Sequence, residues 1–354
     1  MASIRISQMA RPTIRTAAWR RSYRYTVPAG GSRSYSIPAG SSKKVQIVEV
    51  GPRDGLQNEK GAIIPVGTRI ELIDRLVRAG MTVVEAGSFV SPKWVPQMAG
   101  TAEVLENIAW KRGVRYPVLV PNLRGLEDLR ELFVVHPEEP SLTDEVAVFV
   151  GATDAFSRAN VNCGVEEALA RTAQVVEGAR GMGLRVRGYV SVVVQCPYEG
   201  AVAPARVREV AKELVQMGCY EVSLGETVGR GRPHEIRALI EEVTRDVKVE
   251  MLAGHFHDTY GMGVANVLEA LACGVRTVDA AVGGLGGCPY SPGATGNVAT
   301  EDVVYALQGS GYDVGVIDLD ALAEIGSWIS AQLGRETESR VGRALQARAR
   351  RGKL

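Results

Sequence analysis

The chain of 354 residues contains only four histidines, and two of them stand one residue apart in the segment GHFHDTYG, residues 254–261. On an extended strand, residues i and i+2 point to the same face, so His255 and His257 project together while Phe256 points away. Two neighbouring imidazoles repel each other when charged and pack poorly when neutral and unpaired. A bound divalent cation would relieve both problems. The alternative is a pair of hydrogen-bonded polar residues at a strand end.

Asp54 is the best candidate for a third ligand. It lies in the segment GPRDGLQ, beside Arg53 and directly after the first predicted strand, with Gly51 and Gly55 leaving room for a ligand to approach. A carboxylate and two imidazoles leave coordination positions open, as in a catalytic rather than a structural metal site. Mixed nitrogen and oxygen donors are compatible with Mg, Mn, Fe or Zn.

A glycine-rich segment, GGLGGCPYSPGATGN at residues 283–297, follows the last predicted strand and contains six glycines and two prolines. Such a segment cannot pack a core and is typical of a mobile active-site loop. Its single thiol, Cys288, is a candidate acid or base that is placed when substrate binds. The alternative is a glycine-rich turn that holds an inert cysteine.

The elements that must position these residues form a repeating pattern. Eight short runs rich in β-branched residues begin at positions 45, 82, 115, 145, 185, 220, 249 and 277. Between them, apolar residues recur at helical spacing, as in Ile70, Ile73, Leu76 and Val77. Several helical stretches end in glycine just before the next strand, which is the short connection of a repeating strand-helix unit. Eight such units fit a (β/α)8 barrel, with an open doubly wound sheet as the alternative.

The placement of polar residues favours the barrel. A barrel gathers all eight C-terminal strand ends around one mouth, whereas an open sheet spreads them along an edge. We therefore predict an α/β fold in which residues 45–310 form a (β/α)8 TIM barrel and residues 311–354 form an additional C-terminal helical segment. The polar residues that follow predicted strands include Arg53, Asp54, Glu85, Glu226, His255, His257 and Asn297.

Residues 1–44 differ from the rest of the chain. They contain seven arginines and two lysines but no acidic residue, and they are rich in serine, as in a mitochondrial transit peptide. A disordered basic tail is the alternative. The C-terminal tripeptide, residues 352–354, is similar to a weak peroxisomal signal. The rest of the chain contains 32 of the 41 basic residues and all 40 acidic residues, so its net charge is negative. A negative net charge argues against a nucleic-acid partner.

The amino-acid composition limits the class of protein to which the chain can belong. The chain is 45% hydrophobic and long enough to bury a core of barrel size. It has no apolar run of about 18 residues, so no membrane insertion is expected. Five cysteines without a CxxC motif are typical of free thiols in a reducing compartment.

Taken together, these segments resemble the signature sequences of the 3-hydroxy-3-methylglutaryl-CoA lyase family. The resemblance covers residues 45–335 and includes VGPRDGLQNEK, SFVSPKWVPQM, HFHDTYG and GLGGCPYSPGATGN. The arginine-aspartate turn and the histidine pair are shared with related Claisen-type synthases and carboxyltransferases. The combination of GPRDGLQNEK, SFVSPKWVPQM and GLGGCPY is specific to the lyases.

The resemblance implies a role for each candidate residue. The metal ligands, for Mg²⁺ or Mn²⁺, would be Asp54, His255, His257 and Asn297. Arg53 would contact the thioester oxygen, Cys288 would be the catalytic thiol, and Glu85 and Glu226 would lie near the reacting centre. The implied reaction is retro-Claisen cleavage of an acyl-CoA substrate, 3-hydroxy-3-methylglutaryl-CoA, to acetyl-CoA and acetoacetate in leucine degradation and ketone-body formation. A homodimer in the mitochondrial matrix is implied as well.

Several points stay open at this level. The family commonly has aspartate where this chain has Glu226, so either the backbone compensates for the extra methylene or the substrate differs somewhat. Cys288, Glu85 and a metal-bound water are all candidates to accept the hydroxyl proton. Asp258 points away from the histidine pair, and we expect it to support the turn or to orient a histidine. A barrel retained as a non-catalytic metal-binding protein is the alternative outside enzymes.

Overall fold

The computed structural model describes residues 43–59, 63–137, 141–287 and 296–351. The strands in these ranges are β1 Gln46–Glu49, β2 Gly87–Ser88, β3 Val118–Leu119, β4 Glu145–Gly151, β5 Arg185–Ser191, β6 Gln195–Cys196, β7 Gly200–Ala201, β8 Glu221–Glu226, β9 Leu252–Phe256 and β10 Thr277–Ala280. The α-helices are α1 Val66–Arg78, α2 Thr101–Asn107, α3 Leu123–Val135, α4 Asp154–Val161, α5 Val165–Gly181, α6 Pro204–Met217, α7 Pro233–Val243, α8 Gly263–Ala272, α9 Thr300–Leu307, α10 Leu319–Gln332 and α11 Arg340–Arg351.

Eight parallel strands form one sheet in the order β1, β10, β9, β8, β5, β4, β3, β2. The first and last strands of the chain are therefore neighbours, and Gln46 pairs with Thr277. The ring is completed on the other side of β1, where the Glu49 N–H donates to the Val83 carbonyl over 3.0 Å and the Glu85 N–H donates to the Glu49 carbonyl over 2.9 Å. The predicted (β/α)8 barrel is confirmed, and the open doubly wound sheet is wrong.

The helices cover the outside of the barrel, as their apolar spacing predicts. In α1, Leu72, Ile73 and Leu76 are fully buried and face the sheet. The chain turns sharply after this helix at Gly80, whose φ of 103° is a conformation that glycine adopts without the steric cost of a side chain. The C-terminal segment is also helical, because α10 and α11 follow α9 and pack on it. No helix among the described residues has the length and apolar character needed to cross a membrane.

The fifth predicted strand, residues 185–194, is shorter in the structure because β5 ends at Ser191. The next residue, Val192, has a φ of 58°, which is unusual for a β-branched side chain and breaks the extended conformation. Its N–H donates to the Thr227 hydroxyl over 2.9 Å, which holds the turn in place. The residues that follow form the antiparallel pair β6 and β7, which the sequence pattern did not indicate.

The interior of the barrel carries a buried layer of charge. Side chains alternate across each strand, so Arg187 and Tyr189 on β5, Ser223 on β8 and Asp279 on β10 share the inner face. Arg187 and Asp279 are each 1% exposed. This layer lies directly below the C-terminal ends of the strands, where the candidate site residues are placed.

Glu49, at the end of β1, joins the first and last units of the barrel. Its carboxylate accepts hydrogen bonds from the N–H groups of Gly51 over 2.8 Å and Val282 over 3.0 Å, and from the Thr300 hydroxyl over 2.6 Å. Burial raises the pKa of Glu49 to about 7, although these hydrogen bonds act in the opposite direction. The folded state is therefore more stable when the Glu49 carboxyl group is protonated.

Replacing Glu49 with glutamine tests the cost of ionising this group. Between its ordinary pKa of 4.5 and its folded pKa of about 7, the folded chain binds more protons than the unfolded chain. The contribution of Glu49 to stability therefore falls as pH rises through this window, by an amount on the order of 3 kcal/mol. We expect the midpoint of thermal unfolding to fall less with rising pH in Glu49→Gln than in the wild type. Identical pH profiles would contradict this, and Glu324→Gln, exposed on α10, is the control.

Candidate metal centre and active site

Three of the predicted ligands meet at the C-terminal end of the barrel. The ligand atoms of Asp54, His255 and His257 all lie within 4.8 Å of one another, and no other such group of three occurs among the described residues. Asp54 comes from a π-helical turn, Gly51–Gly55, that follows β1, and both histidines come from the end of β9. The side chains therefore converge because strands on nearly adjacent sides of the barrel end at the same level.

The protonation states of two ligands suit a cation. Burial, together with the positive charge of His255, lowers the pKa of His257 to about 4, so its imidazole is neutral near pH 7. Burial opposes ionisation of Asp54, but the charges of Arg53 and the two histidines, with a hydrogen bond from Asn297, together outweigh it and lower the pKa of Asp54. A neutral imidazole and an ionised carboxylate are the forms that bind a metal.

His257 also has an unused nitrogen. Its Nδ1 atom is buried and makes no hydrogen bond. A buried polar atom without a partner is costly unless a ligand completes it. The Nε2 atom of His255 lies 3.9 Å from Asp54 Oδ2, close enough for one cation to contact both. The residues present therefore fit a divalent cation held by Asp54, His255 and His257.

Asp279 orients His255, and this aspartate was not among the site residues predicted from the sequence. The Nδ1 atom of His255 lies 3.2 Å from Asp279 Oδ2, which leaves Nε2 facing Asp54. Burial alone would lower the pKa of His255, but this hydrogen bond and the charge of Asp54 outweigh burial and raise it. A carboxylate behind a ligating histidine is common in metal sites. The available signal was an acidic residue inside the predicted strand TVDAAV.

Asp279 is itself held by two groups of the interior layer. Arg187 Nη2 donates to Asp279 Oδ1 over 2.8 Å, and the Ser223 hydroxyl donates to Oδ2 over 2.7 Å. Burial would raise the pKa of Asp279, but the charges of Arg187 and His255 and their hydrogen bonds together outweigh it and lower the pKa to about 2. On its other side, Arg187 pairs with Glu221 over 2.7 Å. This chain of charges runs from the centre of the barrel to the candidate metal site.

Arg53 lies beside the triad and is held on two sides. Its Nη1 contacts Asp54 Oδ1 over 2.8 Å, while Nε and Nη2 contact Glu85 Oε2 over 2.8 and 2.7 Å. The guanidinium also lies 5.3 Å from the centre of the Tyr189 ring. Burial disfavours its charge, but Glu85 and Asp54 outweigh burial and raise the pKa of Arg53, so the cation is permanent. Arg53 is thus positioned as a fixed positive charge at the site.

Glu85 lies behind Arg53. It is 1% exposed and does not line the cavity at the barrel mouth, so it reaches the site through Arg53. Burial raises the pKa of Glu85, although Arg53 and Arg187 act against the rise. These contacts support a positioning role for Glu85 through Arg53, and its expected role in catalysis stays a prediction.

Asn297 lies next to the triad, although its nitrogen rather than its oxygen faces Asp54. Asn297 pairs with His257 across a short antiparallel bridge. Its Nδ2 donates to Asp54 Oδ2 over 2.9 Å and to the Leu285 carbonyl over 3.1 Å. Ligation through the amide oxygen requires the opposite amide orientation, which a bound cation would favour over the hydrogen bond to Asp54. Its role as fourth ligand stays a prediction.

The Glu226 side chain is not among those that line the cavity, although its carbonyl accepts the His257 N–H over 3.4 Å, and its place near the reacting centre stays a prediction. It follows Gly225 on β8, and because side chains alternate along a strand, it points to the opposite face from the cavity-lining Gly225. Its carboxylate accepts from the Arg230 N–H over 3.2 Å. Burial raises the pKa of Glu226 to about 7, opposed by hydrogen bonds from the backbone of residues 228–231. Glu226 therefore supports the loop after β8.

Asp258 supports the turn after the histidine pair, as expected. Its Oδ1 accepts from the Gly263 N–H over 2.7 Å at the start of α8, and its Oδ2 pairs with Arg340. Orientation of a histidine, the other role considered for Asp258, belongs to Asp279. Cys288 lies outside the described residues.

A cavity of about 720 Å³ opens over the triad. Its polar floor includes Asp54, Arg53 and the two histidines. The inner wall includes the apolar and aromatic residues Leu119, Phe149, Phe156 and Tyr189, and the rim includes Ile63, Trp94, Val95 and Pro96. Trp94, Val95 and Pro96 belong to the segment SFVSPKWVPQM, on which the family resemblance partly rests, whereas the aromatic residues of the wall were not identified from the sequence. A polar, charged floor beneath an apolar channel suits a ligand with a reactive polar end and a longer, less polar body.

Comparison with known proteins gives a consistent result. The profile of the family described as HMGL-like matches residues 44–329. Hydroxymethylglutaryl-CoA lyase of Pseudomonas mevalonii is 53% identical over 307 residues, which cover 87% of this chain and 98% of that protein. The mitochondrial hydroxymethylglutaryl-CoA lyase of Bos taurus is 51% identical over 302 residues, covering 85% of this chain and 90% of the relative. The crystal structure of hydroxymethylglutaryl-CoA lyase from Pseudomonas aeruginosa superposes with a TM-score of 0.82 at 51% identity, covering 87% and 99% of the two chains.

The contact between His255 and Asp279 generates a testable expectation. In Asp279→Asn, the carboxylate that holds His255 loses its charge, so we expect Mn²⁺ binding to weaken by about 10- to 100-fold in calorimetric titration. Glu221→Gln is the matched control, because Glu221 contacts Arg187 but not His255. Equal weakening in both variants would mean that the effect runs through Arg187 rather than through the histidine.

Proposed function

Because the chain belongs to the HMGL-like family, we propose that it is a metal-dependent lyase that cleaves 3-hydroxy-3-methylglutaryl-CoA to acetyl-CoA and acetoacetate. The observation that carries the proposal is the cluster of Asp54, His255 and His257 beside the fixed cation of Arg53, at the floor of an open cavity. The printed names of relatives at 51 to 53% identity support the choice of substrate.

The proposed reaction reverses a Claisen condensation. The tertiary hydroxyl loses its proton, the bond between C2 and C3 breaks, and acetoacetate leaves. The electron pair of that bond passes to the thioester as the enolate of acetyl-CoA, which then gains a proton at carbon. Negative charge therefore develops first on the hydroxyl oxygen and then on the thioester oxygen, and the site has to stabilise both.

The triad, through the cation that it would bind, stabilises the first of these charges, on the hydroxyl oxygen. A divalent cation held by Asp54, His255 and His257 supplies Lewis-acid stabilisation of negative charge on the substrate hydroxyl. We propose Mg²⁺ or Mn²⁺ with Asn297 as the fourth ligand, because the family resemblance implies these ions and the oxygen donors of Asp54 and Asn297 are compatible with them. The interior layer keeps His255 in the required orientation through Asp279.

Arg53 stabilises the second charge, on the thioester oxygen. Its guanidinium is fixed by Glu85 and Asp54, so it needs little reorganisation when the thioester oxygen becomes an enolate oxygen. A lysine could not replace it, because an ammonium cannot contact Asp54, Glu85 and the substrate in one plane. Since Glu85 is occupied by Arg53, we assign it to holding this cation rather than to proton transfer.

Proton transfer is assigned to Cys288, which the glycine-rich segment carries. The assignment rests on the family resemblance and on the position of Cys288 next to Gly287, which lines the cavity. A thiol can accept a proton from the hydroxyl as thiolate or donate one to the enolate carbon as thiol.

The glutamate at position 226 gives no reason to choose a different substrate. Its carboxylate faces the backbone of residues 228–231, so the extra methylene changes the support of a loop and not the shape of the cavity. These contacts support the first of the two explanations considered for this position, in which the backbone accommodates the change.

The proposal also covers the cellular location and the oligomeric state of the protein. Residues 1–42 lie outside the described residues, and the composition of residues 1–44 supports import into the mitochondrial matrix, with residues 352–354 as a weak second address to the peroxisome. A mitochondrial relative supports this, although a relative of similar identity is bacterial. The family resemblance supports a homodimer. Fractionation of cells that express the full chain and sedimentation equilibrium of the purified protein test these two points.

A panel of thioesters tests the function. The purified chain is incubated with Mg²⁺ or Mn²⁺ and with several 3-hydroxyacyl-CoA esters, and acetyl-CoA and the released acid are measured. We expect 3-hydroxy-3-methylglutaryl-CoA to be cleaved and activity to disappear with a chelator. Efficient cleavage of another ester with none of the methylglutaryl ester would overturn the assignment of substrate.

A cysteine variant tests the proton transfer. We expect Cys288→Ala to lower kcat by about 10²- to 10⁴-fold while metal content stays unchanged, because the thiol moves a proton and does not bind the metal. Cys273→Ala, at the end of α8, is the control for loss of a thiol elsewhere. Near-normal turnover of Cys288→Ala would remove the thiol from the mechanism.

A further inference from the structure

A short segment outside the barrel lies behind the candidate metal site. It consists of residues 335–343, between α10 and the second turn of α11, and we call it the C-terminal clamp. The Glu338 N–H donates to the Gly283 carbonyl over 3.0 Å, at the start of the glycine-rich segment. Two arginines of the clamp, Arg335 and Arg340, reach further, each to a carboxylate next to a ligand-bearing turn.

Arg335 joins the first barrel loop to the glycine-rich segment. Its Nη2 lies 2.6 Å from Glu59 Oε1, and the same oxygen accepts the Gly286 N–H over 3.1 Å. Glu59 is five residues after Asp54, just beyond the helical turn that carries Asp54. The position of Asp54 relative to Gly286 therefore depends on a carboxylate that Arg335 neutralises.

Arg340 acts on the other ligand-bearing turn. Its Nη1 pairs with Oδ2 of Asp258, the residue that follows His257. The Asp258 N–H donates over 2.9 Å to the carbonyl of Gly296, the residue that precedes Asn297. Asp258 thus lies between His257 and Asn297, and Arg340 holds it from outside the barrel.

The clamp is itself fixed in place. Asp302, in the first turn of α9, accepts the N–H groups of Arg340 over 3.2 Å and Val341 over 2.9 Å. The Ser339 hydroxyl donates to Asp302 over 2.7 Å and accepts the Gly342 N–H over 2.8 Å, so Ser339 caps α11. The backbone that carries Arg340 therefore cannot move freely.

The environment of Asp258 makes this ion pair more than a surface contact. Exposed ion pairs contribute little to stability, and the Arg340 side chain is 60% exposed. Its partner differs, because the Asp258 side chain is only 11% exposed and also holds the start of α8. Removing the arginine would leave a largely buried carboxylate without a cation, directly beside a metal ligand.

We propose that Arg335 and Arg340 are positioning residues that align the metal-binding turns from outside the barrel. The proposal rests on the proposed metal site, not on the identity of the substrate. Arg340 aligns His257 and Asn297 through Asp258, and Arg335 aligns the Asp54 turn through Glu59. The C-terminal clamp is then a functional part of the site, although it supplies no residue to the cavity.

The test compares variants of the full-length chain. Arg340→Ala, Arg340→Lys and Arg335→Ala are measured against Arg348→Ala, an exposed arginine later on α11. We expect Arg340→Ala to weaken Mn²⁺ binding on the order of 10-fold, by calorimetry, as outer partners of metal ligands do. We also expect kcat to fall with KM for the thioester nearly unchanged, lysine to restore part of both losses, and Arg335→Ala to weaken Mn²⁺ binding too. Arg348→Ala should match the wild type.

Wild-type Mn²⁺ affinity and kcat in Arg340→Ala would overturn the proposal, even if thermal unfolding came at a lower temperature. If that variant does not fold, the same comparison is made with Arg340→Gln, which keeps hydrogen-bond donors but not the charge. A wild-type protein that binds Mn²⁺ but cleaves no thioester would contradict the proposed function, while the order of Mn²⁺ affinities would still decide the role of the clamp.

Discussion

The candidate site depends on one buried ion pair, between Asp279 and Arg187 at the centre of the barrel. A carboxylate that is 1% exposed stays ionised only beside a cation, and Arg187 supplies it over 2.8 Å. The other oxygen of Asp279, which also accepts the Ser223 hydroxyl, holds His255. The metal-binding orientation of the histidine is therefore a consequence of charge balance in the interior layer directly below the site.

The same logic recurs around the barrel mouth. Arg53 is fixed by Glu85 from below, and Asp258 is matched by Arg340 from behind. In each case a carboxylate and a guanidinium come from different elements, so the pairs also set the relative positions of those elements. The C-terminal ends of the parallel strands all lie at one end of the barrel. The ion pairs then fix the relative positions of the site residues at that end.

Much of this arrangement could be predicted from the sequence. The alternation of strands and helices indicated the barrel, and the period of two along a strand placed His255 and His257 on one face with Phe256 on the other. The ligand triad followed, because strand ends meet in a barrel. These predictions succeed because they depend on local periodicity, which short segments carry by themselves.

Other features depend on contacts between distant segments. Asp279 could be recognised as unusual in a strand, but its pairing with Arg187, 92 residues earlier, is a tertiary contact. Glu226 was expected near the reacting centre, and only the register of β8 reveals that it points to the opposite face from Gly225. The cavity wall was missed for a similar reason, since an aromatic residue such as Phe149 has the same pattern in a strand whether it packs in a core or lines a channel.

Val192 combines a strained backbone with a buried side chain. Its left-handed backbone follows directly on Ser191, and its N–H contacts the Thr227 hydroxyl; Ser191 and Thr227 both line the cavity. Glycine would remove the strain of a β-branched residue in this conformation. The Val192 side chain is fully buried, however, so glycine would also leave a hole in the core and free the backbone that places Ser191 and Thr227. A laboratory selection for heat resistance would therefore retain valine here in spite of its backbone, and the shape of the cavity would be kept with it.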